Sequence, residues 1–217
     1  MTTLAKRGYH HGNLRAALLK ATLRAIAEDG PDGFTLRDVA RRAGVSPAAP
    51  YRHFRDKDEL LAAVAGECAE RLGASIDAAV AQAAPDALDR FRHVGIAYVM
   101  FAYEHPEHFR ALSVPNIAAK MAPDHRTAFD TWEAEQKQAI AEAQRAGTIA
   151  AIPIDELMLG ANALVHGLAH MVVEGQLGKL DAARVRELAI AATGVLGVGL
   201  IPRTTELAPD PLRRKLP

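Results

Sequence analysis

Side chains able to do chemistry gather in one stretch of this sequence, Phe34 to Leu61, which reads FTLRDVARRAGVSPAAPYRHFRDKDELL. Arg37, Arg52, His53 and Lys57 supply the cations and donors that a polyanion needs. Ser46, Pro47, Ala48 and Ala49 are small, and Tyr51 is flat, so a backbone carrying them can come close to stacked bases. Two histidine pairs stand apart from this stretch. His166 and His170 lie four residues apart, on one face of a helix, a spacing able to ligate zinc. No glutamate directly follows His166, so the zinc-protease pattern is broken. His105 and His108, beside Pro106 and Glu107, read as residues of a helix N-terminus. No nucleophile–base pair and no phosphate-binding loop accompanies the histidines. A histidine-ligated hydrolase is therefore the weakest reading, and no enzyme activity, metal or cofactor is expected.

Charge supports the polyanion reading. The chain is neutral overall, yet residues 1–57 hold 11 Lys/Arg against 5 Asp/Glu, and residues 58–217 hold 15 against 21. A basic head on an acidic body meets a polyanion with one end only. Hydrophobic residues make up 49% and charged residues 24%, which excludes a largely disordered chain. The one cysteine, Cys68, cannot form an intramolecular bridge, so a reducing cytoplasm is the expected setting. No apolar run follows Met1, and no secretory leader is expected. The longest apolar stretch, Leu188 to Ile201, contains Thr193 and three glycines and is shorter than the ~20 residues a membrane span needs, so no membrane partner is expected.

The elements that must position these residues are helices throughout, because apolar residues recur at three- and four-residue spacing and alternating β-branched runs are missing. A first helix is expected from Asn13 to Asp29, stopped by Gly30-Pro31-Asp32-Gly33. Thr35 is the N-cap of a second, Leu36 to Ala43, with Asp38 completing a capping box. Gly44-Val45-Ser46 forms the turn, and a third helix is expected over Pro47 to Phe54, Pro50 falling in its first turn. Asp56 to Glu59 caps a long fourth helix reaching Ala84. Further helices are expected over Asp86–Glu104, Glu107–Leu112, Asp124–Ala146, Asp155–Glu174 and Asp181–Leu200, with a loop from Pro115 to Pro123.

Two short helices around a glycine turn form a helix-turn-helix, which lays its second helix into a major groove. Here the sequence resembles the TetR family of transcriptional regulators. Thr35, Ala40, Gly44-Val45-Ser46, Tyr51, His53-Phe54, Lys57 and Leu60-Leu61 fall on that family's positions in register. The resemblance implies that Thr35 caps and touches phosphate, that Arg37 reaches a base edge or the backbone, and that Ser46, Pro47, Ala48 and Ala49 face bases. Tyr51 would contact base or phosphate, Arg52 shares its outward face, and His53 and Lys57 would hold the backbone. Phe54 is assigned to core; a core place for Tyr51 and a solvated face for Arg41-Arg42 are the alternatives to a DNA role. Lys6 to His11 form a basic arm that either tracks DNA or frays. The run NALVHGL, Asn162 to Leu168, is similar to a C-terminal regulatory domain found in part of the family and marked by a Trp-His-Gly run, with Val165 in place of the tryptophan. Tyr9–Arg15 and Ala48–Phe54 resemble the same subgroup.

The implied architecture is all-α: a three-helix head over residues 12–72 with its motif at 35–54, joined by a long helix to a body over 73–201, then a mobile tail at 202–217. The body would bind an effector and dimerise. Phe91, Tyr98, Phe101, Phe129, Trp132, His166 and Met171, with Met100 and Phe109 as further material, are the candidates for one apolar effector cavity. Leu157, Ala161, Leu164 and Leu168, with Val185, Leu188, Ala192 and Val195, are the candidates for a homodimer face, and Gly160, Gly167, Gly194 and Gly197 would let helices approach across it. The expected function is a sequence-specific regulator, a repressor released from a palindromic double-stranded DNA operator by a small molecule. A non-specific architectural DNA binder is the alternative.

Overall fold

The computed structural model describes residues 14–200, the side chain of Phe129 excepted. The basic arm, the first two residues of the expected head and the tail lie outside the described residues. Helices account for every regular element in that range: α1 (Leu14–Asp29), α2 (Leu36–Ala43), a single 3-10 turn (Pro50–Arg52), α3 (Lys57–Val80), α4 (Ala87–Glu104), α5 (Pro106–Leu112), α6 (Ile117–Lys120), α7 (Pro123–Arg145), α8 (Ile154–Val173) and α9 (Ala182–Leu200). The short α6 replaces part of the loop expected between Pro115 and Pro123. α3 stops four residues before Ala84, its chain leaving through 3-10-type bonds from Gln82 to Ala79 and from Ala83 to Val80.

Two compact units divide the chain at places composition does not mark: residues 1–75 with 101–130, and residues 76–100 with 131–217. The single boundary expected at 72/73 therefore does not describe the packing. The reason is a shared core. Ala111, Ile117 and Met121 join Leu18, Leu19, Ile26, Val39, Leu60 and Val64 in one buried cluster. Phe109, 2% exposed, is buried in the same unit. α1 packs against both α2 and α5.

In the second unit, α8 lies against α9, and Ile140, Ile149, Leu157 and Leu200 form a smaller core. Each helix buries a four-residue repeat: Leu157, Ala161, Val165 and Ala169 on α8, and Val185, Ala189, Thr193 and Gly197 on α9. Gly95 on α4 makes a close approach possible, since a Cβ there would stand 2.9 Å from Thr193 Cγ2 and 3.0 Å from Val165 Cγ1. The Gln144 amide ties the turn before α8 by donating to the carbonyls of Ala150 and Ile152 at 2.9 and 2.8 Å. By length and composition α8 is long and apolar enough to cross a membrane, whereas the sequence points to the Thr193-interrupted stretch on α9.

Candidate nucleic-acid interface

The interface is built from local chain chemistry. Thr35 has extended backbone and caps α2: its hydroxyl accepts from Asp38 N–H at 3.2 Å, while the Asp38 carboxylate accepts from Thr35 N–H at 3.1 Å and from its hydroxyl at 2.7 Å. These bonds, led by the one from the Thr35 side chain, hold the Asp38 carboxyl below the usual carboxylate range. At the other end Gly44 sits in the left-handed region at φ 70°. Its N–H donates to Arg41 and that of Val45 to Ala40, the paired bonds of a Schellman ending. A side chain at Gly44 would be strained by that backbone angle. α2 is therefore defined at both ends without help from the rest of the molecule.

The expected third helix, Pro47 to Phe54, is a turn followed by one 3-10 turn, and the prolines explain the difference. Pro50 has no N–H to give to the Ser46 carbonyl. That carbonyl takes the Ala49 N–H at 2.9 Å instead, and the Pro50 carbonyl accepts from both His53 and Phe54 at 2.9 and 3.0 Å. The tightened backbone turns Ala49 inward. Expected among the base-facing residues, Ala49 is buried at 9% exposure, as is Pro50, and so cannot meet a base. Phe54 is core at 3% exposure, while Tyr51 is 54% exposed, so the two aromatics of the segment divide cleanly. Ser46, Pro47, Ala48, Arg52 and His53 are exposed with Tyr51, as are Thr35 and Arg37 at the start of α2.

The cations of this unit separate into structural and uncommitted ones. Arg42, for which a solvated face is one alternative from sequence, ties α2 to the end of α1 through ion pairs with Glu28 and Asp29, and the Glu28 bond raises its already high pKa. Arg41 pairs with Asp38 at 3.1 Å, and Arg55 with Glu59 at 3.1 Å. The Glu59 carboxyl, held low mainly by the Arg55 N–H, serves that residue instead of closing a box with Asp56. Asp56 caps α3 alone by accepting from Glu59 N–H at 2.8 Å. Lys57 is half-buried: its Nζ donates to the Asp32 carbonyl at 3.0 Å and lies 4.5 Å from the centre of the Phe34 ring. It braces the turn after α1, in contrast to the free backbone-holding group expected. Among the described residues Arg37 and Arg52 make no ion pair, which leaves their guanidiniums available.

The second unit departs further from expectation. A cavity of about 60 Å³ lies between α4, α7, α8 and α9, with Phe91, Arg92, Trp132, Met158 and Leu196 on its walls. Phe91 and Trp132 are there as expected. Tyr98, Phe101, His166 and Met171 are not. The Tyr98 hydroxyl is instead hydrogen-bonded to His166 Nδ1 at 2.8 Å, burial pushing the phenol up to about 12 and the imidazole below its ordinary value. Phe101 is buried in the first unit against the His105 and His108 rings, and Met171 is 38% exposed. Phe129's side chain lies outside the described residues. Phe91 and Gln136 also border an open depression of about 600 Å³.

The expected dimer stripe splits in the same way. Leu157, Ala161 and Val185 are buried within the protomer, at 4%, 8% and 0% exposure, and Ala161 lines the cavity. Leu164, Leu168, Leu188 and Ala192 are half-buried. Val195 alone is fully outward at 76%, joined by Leu159 at 72%, Val198 at 64% and Ile190 at 44%. The cause is rotation: the buried rows follow strict four-residue steps, and the expected stripe drifted off them. Gly194 and Gly197 face Arg92 of the same chain, whereas Gly160 and Gly167 stand in open space.

Of the histidine pairs, His105 and His108 come together with Glu107, one ligand atom from each lying within 4.8 Å of the others. The Glu107 carboxylate accepts from His108 Nδ1 at 3.0 Å. Cys68 is fully buried and its thiol is pushed up to about 12 by burial, so it is protonated and unreactive.

A capped helix, a left-handed glycine turn and an exposed segment bearing Tyr51 define a helix-turn-helix DNA-binding protein with a second helical unit. Comparison with known proteins agrees. Residues 18–64 match the family described as bacterial regulatory proteins, tetR family, and residues 91–193 match the tetracyclin repressor-like C-terminal domain. The chain belongs to the TetR family of DNA-binding transcriptional regulators. It is 36% identical over 69 residues to the HTH-type transcriptional regulator BetI of Brucella canis, a match covering 32% of this chain and 35% of that one. The chain thus spans about a third of the length of such curated relatives. Over 91% of its length it matches a solved structure from Rhodococcus sp. RHA1, a protein of unknown function, at 35% identity, covering 100% of that chain with a TM-score of 0.70. A TetR family transcription regulator from Marinobacter aquaeolei VT8 shares the fold, at 22% identity, 87% and 96% coverage and a TM-score of 0.68. The family's members are transcription regulators and not enzymes.

Proposed function

We propose that the chain acts in the cytoplasm as a homodimeric repressor that reads a palindromic operator and is released from it by a small molecule. The observation that carries this reading is the surface on which Arg37, Ser46, Pro47, Ala48, Tyr51, Arg52 and His53 are exposed together while Ala49, Pro50 and Phe54 anchor the backbone beneath them. Tyr51, Arg37 and Arg52 meet base edges and phosphates, and Thr35 and His53 meet the backbone. Few donors stand on Pro47, Ala48 and Pro50, so base discrimination rests on the two arginines, Tyr51 and apolar contact with thymine methyls. Phosphate contacts supply much of the affinity and make it salt-dependent.

Two such heads require a two-fold partner, entering successive major grooves ~34–36 Å apart. The exposed apolar residues of α8 and α9, Leu159, Val195 and Val198 foremost, are what a second copy covers. The cavity beside Trp132 holds the effector, and α3, continuous from the Asp56 cap across the unit boundary, carries the response. A ligand shifts the DNA affinity only by its different affinity for the two conformers.

Genomic footprinting with purified protein tests this, with a protected palindrome expected. On that site Arg37→Ala and Tyr51→Ala each weaken binding about 5- to 150-fold in gel-shift titration, the range of ~1–3 kcal/mol for a base contact, with unchanged melting temperature. Equal affinity for random and selected DNA would instead identify an architectural binder.

A further inference from the structure

We infer that the cavity beside Trp132 takes a small apolar molecule carrying a carboxylate, and that Arg92 is the group that holds it. The inference rests on reading this cavity as the effector site, and it names the ligand class. Arg92 is the one ionisable side chain on walls that are otherwise mostly hydrocarbon. Its Nε is buried and has no hydrogen-bond partner, and among the described residues no carboxylate pairs with it. α9 makes room for this side chain. A Cβ at Gly197 would come within 3.4 Å of Arg92 Cδ, and one at Gly194 within 3.8 Å of its Nη2. The neighbouring hydroxyl does not help, because Thr193 Oγ1 bonds the Ala189 carbonyl at 2.8 Å.

A buried donor left without an acceptor is costly, and a guanidinium more so than a neutral group. A carboxylate matches the fork of a guanidinium with two parallel acceptors and cancels its charge. A neutral amide of the same shape offers one acceptor to the guanidinium but sets a donor against its second N–H and leaves its charge uncancelled. A phosphate brings more charge than one guanidinium neutralises and turns its remaining oxygens against Leu88, Met158 and Leu196. Size narrows the class further. An apolar cavity of ~150 Å³ admits benzene, and this one measures about 60 Å³. Only the smallest acids, of the acetate kind, suit it as it stands. Isobutyrate, with as many heavy atoms as benzene, and the larger benzoate enter by displacing Phe91 and Gln136 toward the adjoining depression.

Trp132 is the chain's single tryptophan and lines the cavity, so its fluorescence reports occupancy directly. The experiment titrates full-length protein with isobutyrate and benzoate and with the matched amides, isobutyramide and benzamide, in wild type and in Arg92→Gln. Each acid is expected to bind wild type at least about 10-fold more tightly than its amide, as a charged hydrogen bond implies. The preference should fall within about 2-fold in Arg92→Gln and be intermediate in Arg92→Lys. Equal binding of acid and amide to wild type, or a preference that survives Arg92→Gln, overturns the inference. The wild-type comparison decides by itself if the variants fail to fold. DNA release separates the two readings. Neutral compounds that move Trp132 and free DNA with no charge preference sink the carboxylate and keep the effector site. Acids that bind through Arg92 yet leave DNA affinity unchanged confirm the anion site and sink the effector reading.

Discussion

The two units bury their apolar residues differently. In the first, Phe109, Leu18, Leu19, Ile26, Leu60, Val39 and Val64 are each exposed by no more than 2%, and Tyr51, the most exposed aromatic among its described residues, sits on the segment proposed to face DNA. In the second, Leu159, Ile190, Val195 and Val198 face outward from α8 and α9, and a cavity interrupts the interior. A unit that must present a rigid reading surface closes its own core. The unburied hydrocarbon and unfilled space of the second are what the proposed ligand and second copy would use.

A charge on the outward face of α9 should have the largest effect. Val195→Asp should leave the protomer folded, because that side chain is already 76% exposed. It should convert a dimer to a monomer in size-exclusion chromatography with light scattering. Operator affinity should fall about 100-fold or more with the loss of paired attachment. A persistent dimer would place the subunit contact elsewhere.

Core truncation comes next. Phe109→Ala should cost about 3–5 kcal/mol in urea denaturation, as for a well-packed aromatic. Phe91→Ala, beside existing free volume, should cost less than about 2 kcal/mol because its surroundings offer fewer contacts to lose. Similar costs at both positions would erase the contrast between the units.

Smaller effects test the local devices of the first unit. Thr35→Ala removes the cap of α2 and should cost about 1 kcal/mol of stability, read from the same urea curves. His108 supplies a pH dependence. Burial, opposed by Glu107, holds its pKa below the ordinary 6.5, so the unfolded chain binds the proton more readily. Stability is therefore full above pH 6.5 and is lost as pH falls through the lower folded value. His108→Gln should flatten that slope below pH 6.5, and an unchanged slope would assign it to another group.

Much of the first unit could be read from sequence because its determinants are local. Thr35 with Asp38 defines the start of α2 and Gly44 its end, within ten residues of chain. The recognition segment differs from the helix its pattern predicts. Two prolines three residues apart withdraw the amides an α-helix needs, and that choice turned Ala49 from the surface into the core. Lys57 and Arg42 looked like free cations because their partners, the Asp32 carbonyl and the Glu28 and Asp29 carboxylates, lie 13 to 25 residues away in sequence. In the second unit the helices themselves were legible, to within two residues for α4, α7, α8 and α9. The roles of their faces were not.

Helix periodicity, capping residues and turn glycines determined by themselves that this chain is all-α and carries a DNA-binding helix-turn-helix, since those signals act over one or two turns of backbone. Only tertiary structure decided how far α8 and α9 rotate about their axes, that residues 101–130 pack with the first unit, and that Arg92 stands on an apolar cavity without a partner. Rotation, return and pairing depend on contacts between residues far apart in sequence, where a repeating apolar pattern fits several neighbouring rows almost equally well.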